Sequence, residues 1–253
     1  MSLIKSIKHG LGKQNDVFKA KHIHNFRLGI KKLKAIIRLI DSLIVSKSHK
    51  NLLKPLKGLY GKTGKIRDLH VHLSIAKGLI SQSPIEVKTF GSWSNKQIEK
   101  EQVSIVKEIG RLDSDIFKNI ENFFRDFRKS NLEIVTNDCV NFVQQKLQSI
   151  SGIIALEPSD ENLHSIRKLL KDVVYTLQIL KNEDKSFSIE KSKLKLYNRV
   201  QEQLGLWNDW VTFGNNLKKL NKKEPQFPDL EWIATIEKDK YRNLVLESLK
   251  KIN

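Results

Sequence analysis

A chain of 253 residues with 39% apolar content is long enough to bury a core in one or two domains, and its net charge of +18 directs it toward polyanions: nucleic acid, an anionic membrane surface or polymeric phosphate. No run approaches the roughly 18 apolar residues of a transmembrane span, and residues 1–12 carry Lys5 and Lys8 without an apolar stretch behind them, so membrane insertion and a secretory leader are not expected and the chain reads as cytoplasmic. Cys139 is the single cysteine, which excludes an intramolecular disulfide and a cysteine-based zinc site and leaves it as a small core residue.

Only 12 glycines and 5 prolines interrupt the chain, and helical periodicity without a sustained period-two pattern predicts an all-α protein. The first predicted helix covers residues 16–45. At about 100° per residue, with His24 at zero, Arg27 falls at about 300°, Lys31 at 340°, Lys34 at 280° and Arg38 at 320°, one narrow cationic face. Ile23, Phe26, Ile30, Leu33, Ile37 and Ile40 cover roughly 160° to 260°, so the cationic stripe borders the core instead of lying opposite it. Between Val17 and Ile40 there is no Asp or Glu. Like-charge neighbours such as Arg27 with Lys31 each cost about 0.2–0.5 kcal/mol in an isolated helix, which either a bound anion or core packing would offset.

Further helices are predicted over residues 48–80, 95–109, 114–129 and 132–148. A helix over residues 160–181 follows, and its acidic start, Asp160-Glu161, suits the positive end of a helix dipole. A long helix over residues 186–220 ends before Pro225 and Pro228, and a last amphipathic helix covers residues 230–250.

The helix beginning near Asp160 repeats the first one. His164, Arg167 and Lys171 stand 140 positions after His24, Arg27 and Lys31, and Leu163, Ile166, Leu170, Val173, Leu177 and Leu180 occupy the six apolar positions. A second repeated signature follows each copy: Gly64-Lys65-Ile66-Arg67-Asp68 matches Gly205-Leu206-Trp207-Asn208-Asp209. His24 to Asp68 is 44 residues and His164 to Asp209 is 45. A mid-helix glycine costs nearly 1 kcal/mol relative to alanine, so Gly64 and Gly205 are expected to permit close helix approach. Two halves follow, residues 1–130 and 131–253.

His-x-x-Arg-x-x-x-Lys on a basic helix, twice, each followed by Gly-x-x-Arg/Asn-Asp, resembles the CHAD (conserved histidine α-helical) domain over nearly the whole chain. That resemblance implies two four-helix bundles related by pseudo-twofold duplication, with the basic helices lining a central cleft or pore. It also implies binding of inorganic polyphosphate, without catalysis, cofactor or metal, in a role such as scaffolding or targeting to polyphosphate granules. The anion-facing positions carried over are His24, Arg27, Lys31, Lys34 and Arg38, then His164, Arg167 and Lys171, with Arg67, Asp68, Tyr175, Asn208 and Asp209 as supporting positions. The second copy departs from the pattern, with Val174 before Tyr175 and Gln178 where the first has Arg38. Asn208 replaces an Arg, and Thr63 replaces the usual Leu before Gly64. The cationic surface is therefore expected to be lopsided toward the first half.

A linear polyphosphate carries about one charge per phosphate and asks for a run of cations without base or sugar contacts; Arg supplies planar donor forks and Lys a compact charge. From His24 to Arg38 the stripe rises about 21 Å. Protonation would add charge at His24 and His164, so affinity is expected to rise as pH falls from 8 to 6.

Two other classes compete. Nucleic acid also binds through phosphate contacts, but single-strand binders interleave stacking aromatics with cations, and the stripes contain only Tyr175. A phosphoanhydride hydrolase would use Asp68 and Asp209, yet such cleavage generally needs several carboxylates around a divalent metal and the stripes hold none. The Glu-x-Glu-x-Lys signature of the CYTH triphosphatases, which often accompany CHAD modules, has its nearest approach at Glu99 and Glu101, where Val103 stands in place of the Lys. The pairs His22/His24 and His70/His72 point about 200° apart on a helix, which disfavours shared metal binding.

Overall fold

The computed structural model describes residues 19–43, 49, 51–112, 115–129, 136–156, 158–183, 190–222 and 225–252. It is all-helical among those residues. Two compact units divide the chain, Met1–Glu133 and Ile134–Asn253. The first contains α1 (Ala20–Leu43), a 3-10 turn (Lys54–Leu56), α2 (Lys57–Gly78), α3 (Pro84–Ile109) and α4 (Ile116–Lys129). The second contains α5 (Thr136–Ile154), α6 (Asp160–Glu183), α7 (Lys191–Asn221) and α8 (Pro228–Leu249).

Most predicted helices shift by a few residues, and two of the larger differences have a local cause. The expected helix over 48–80 is divided: Pro55 stands inside the 3-10 turn, and α2 starts only at Lys57. A proline has no N–H and fixes its φ, so it suits the first turn of a helix and not its interior. The same property starts α3 at Pro84, eleven residues ahead of the predicted start at 95. α5 continues through Gly152 to Ile154, beyond the predicted end at 148. The residue 1–12 segment, the predicted helix start at Asp16, Val45, Ser48, Ser114, Leu132 and Ser186 lie outside the described residues.

In the first unit all six predicted apolar positions of α1 are buried, none above 4% exposure. Ile23, Phe26, Ile30, Leu33 and Ile37 join Leu56, Leu59 and Ile66 from the turn and α2, Ile98 and Ile105 from α3, and Ile116 and Ile120 from α4 in one core. The six matching positions of α6 are equally buried. In the second unit Trp207 and Phe213 of α7 and Phe227 and Leu230 at the start of α8 are fully buried. The turn between α7 and α8 is organised by Asn221: its Oδ1 accepts from the backbone N–H of Gln226 and Phe227, at 3.1 and 2.9 Å, and its Nδ2 donates to Glu231.

Candidate functional site

α1 carries its cations along the edge of the first unit's core. It has no acidic residue in its first turn, so the positive end of its dipole lies next to the His22–His24 region with no carboxylate of that turn to offset it. α2 packs against this edge, and Tyr60 is the meeting point. The Arg27 guanidinium carbon lies 4.3 Å from the Tyr60 ring centroid, and Lys34 Nζ lies 4.3 Å from the same centroid. Arg27 Nη1 also donates to the Tyr60 carbonyl. One aromatic ring and one carbonyl thus hold two stripe cations a helical turn and more apart.

Gly64 completes the seat. A methyl carbon there would stand 2.8 Å from Arg27 Nη1 and 3.3 Å from Cζ and Nη2. The expected close approach is therefore real in the first unit, made with a side chain instead of a helix backbone. At Gly205 the expectation is corrected: among the described residues nothing beyond its own helix backbone and chain neighbours lies within 4 Å of the position a methyl would take. Gly205 is a helical glycine in open space, and the close approach belongs to one copy only.

The electrostatics record how crowded the first stripe is. Burial pushes the Arg27 and Lys34 side chains below their ordinary pKa values, and for Lys34 the neighbouring charges of Arg38, Arg27 and Lys57 push in the same direction. Tyr60 and Asp68 act on Arg27 in the opposite sense. His24 is pushed below the ordinary histidine value by partial burial, then by Lys31 and Arg67. Arg67 and Lys57 of α2 thus share the field of α1's stripe, Arg67 near His24 and Lys57 near Lys34. Arg67 Nη1 donates to Asp68 Oδ1 at 3.1 Å, so this carboxylate is engaged with the cations around it. Sequence periodicity on α1 alone could not find Tyr60 or Lys57, because only the packing of α2 brings them to the stripe.

The second stripe is built differently. His164 lies against Trp207, ring centroids 5.1 Å apart, and is pushed below the ordinary value by burial, then by Arg167 and Lys168, with Asp160 acting in the opposite sense. Arg167 and Lys171 are half-buried, as are Asn208 and Asp209. Residues 172–177 are buried without a break, which places the supporting residue Tyr175 at 7% exposure. Residues 172–177 of α6 are therefore interior, where the matching stretch of α1 still carries Lys34. Of the second-guessed histidine pair, His72 is buried in the first unit and His70 only half so.

A family model for the CHAD domain matches residues 3–218. The crystal structure of the CHAD domain from the plant Ricinus communis superposes with a TM-score of 0.72 at 17% identity, covering 99% of this chain and 86% of that one. No curated protein matches the chain significantly. α8 lies past the end of the family match, yet it packs along α7 and ties back to the start of α6 through Arg242, whose Nη2 donates to the Pro158 carbonyl at 2.9 Å and whose Nε donates to Asp160 at 3.3 Å. With the repeated His-x-x-Arg helices, the all-helical fold and the family match over most of its length, this chain belongs to the CHAD domain family.

Proposed function

We propose that the protein binds inorganic polyphosphate without catalysing a reaction on it, and that it serves in the cytoplasm as a scaffold or as a module that settles on polyphosphate granules. The observation that carries this reading is the acid-free cationic edge of α1, where His24, Arg27, Lys31, Lys34 and Arg38 run beside apolar residues that are at most 4% exposed. A buried apolar face fixes the rotation of the helix, so the cations stay aligned along one edge. A polymer with a charge at every unit exploits such a rail, whereas a compact anion uses one or two of its cations.

Nucleic acid fits less well. Three aromatics near the stripes are already engaged or enclosed, Tyr60 by Arg27 and Lys34, Trp207 fully buried and Tyr175 nearly so, so these rings are not open beside the cations for base stacking. Hydrolysis through Asp68 fits less well too, because that carboxylate is hydrogen-bonded to Arg67. Competition tests the reading: fluorescent long-chain polyphosphate on the protein is challenged with RNA, duplex DNA and short phosphates at fixed salt. Polyphosphate should win at equal phosphate concentration, and displacement by RNA at parity would overturn the assignment. Arg27→Glu should weaken binding more than Lys32→Glu, since Lys32 lies about 100° from the stripe centre; equal losses would mean diffuse attraction and no site.

A further inference from the structure

We infer that Tyr60 is the positioning residue of the first unit's anion site, holding Arg27 and Lys34 in the geometry that a phosphate chain meets, with Gly64 keeping the space that this geometry needs. The inference rests on the polyphosphate reading and deepens it. Two cations on one helix at a spacing of seven residues repel each other and, left to solvent, would sample many rotamers. Each instead lies 4.3 Å from the Tyr60 centroid, where the negative face of the ring attracts a cation. Arg27 is held a second time by the Tyr60 carbonyl, and its Nε is buried with no partner among the described residues. That commits one edge of the guanidinium to the protein and leaves Nη2 and the second Nη1 hydrogen as the donors an anion can use.

Gly64 is an independent pointer to the same arrangement, because a methyl group there would stand 2.8 Å from Arg27 Nη1 and 3.3 Å from Cζ and Nη2, so the guanidinium would have to shift from its seat. Tyr60 does not itself touch the ligand in this account. It acts through Arg27 and Lys34 by reducing the rotamer freedom that binding would otherwise have to remove.

Three variants, with Arg27→Glu as the loss-of-binding control, test this against the wild type in polyphosphate titrations over a series of salt concentrations, with thermal unfolding followed in parallel. Tyr60→Phe keeps the ring and the carbonyl and should bind as the wild type does. Tyr60→Leu keeps the carbonyl and the net charge but loses the ring, and affinity should fall roughly three- to tenfold, with a shallower dependence on salt as fewer phosphates are engaged together. Gly64→Ala should weaken binding while its unfolding midpoint stays level or rises, since alanine is the better helix former; a purely structural role for this seat would move both the same way. The inference is overturned if Tyr60→Leu and Gly64→Ala keep wild-type affinity and salt slope while Arg27→Glu loses binding, or if Tyr60→Phe loses as much as Tyr60→Leu. Failure of the wild type to bind polyphosphate at all would instead remove the functional reading beneath it.

Discussion

His24 shows how a single residue can read pH in opposite senses for stability and for binding. In the folded protein its pKa lies below the ordinary 6.5 through partial burial, Lys31 and Arg67, and His164 is lowered through burial, Arg167 and Lys168. A histidine lowered on folding favours the native state above its unfolded pKa, and that contribution is lost as pH falls through the folded value. Without ligand, stability should therefore hold from pH 8 to 7 and decline below about 6.5. A bound polyanion reverses the sign, because it stabilises the imidazolium. Affinity for long-chain polyphosphate should stay nearly flat from pH 8 to 7 and rise only below 6.5, a narrower window than the histidine content alone implies. Fluorescence anisotropy at pH 8, 7, 6 and 5.5 checks this; a full rise that persists in a His24→Ala, His164→Ala double variant would remove both histidines from the effect.

The two basic helices differ as elements although their motifs match. α1 begins without an acidic residue, while α6 begins with Asp160 and Glu161 in its first turn. Ser159 Oγ accepts from the Asn162 N–H at 3.2 Å at the same end, so one orphan N–H group is capped and the dipole of α6 is met by carboxylates from within the chain. Asp160 also receives Arg242 at 3.3 Å and Lys238 at 3.9 Å. The start of α6 is thus a structural joint, whereas the first turn of α1 carries no carboxylate of its own. Arg242→Ala should cost about 1–2 kcal/mol in urea unfolding, the scale of a charge-assisted bond lost together with a carbonyl left unpaired. Polyphosphate affinity should change little in that variant; a large loss of binding with unchanged stability would make Arg242 a ligand residue instead of a joint.

At the scale of the whole molecule, the cations of the repeated motif are weighted toward the first unit. In the sequence register of the repeat, Val174 and Gln178 stand for Lys34 and Arg38, Asn198 and Gln201 for Lys57 and Tyr60, and Asn208 for Arg67. Val174 is buried at 1%, so its position is spent on packing. Arg27→Glu should therefore weaken polyphosphate binding by roughly tenfold or more, the consequence of losing charge-assisted bonds of about 1.5–3 kcal/mol, and Arg167→Glu by clearly less. Equal losses measured by titration would show that the second unit contributes as an equal. The fold class, the order of the helices and the apolar faces of α1 and α6 were legible in the sequence, because 3.6-residue periodicity and proline positions are local properties of the chain. The cationic stripe was legible for the same reason. Tyr60 as the seat of Arg27 and Lys34, Lys57 beside Lys34, the unequal surroundings of Gly64 and Gly205 and the burial of Tyr175 were decided only by tertiary structure. Each depends on which face of a neighbouring helix arrives at the stripe, and that is set by packing between elements distant in sequence.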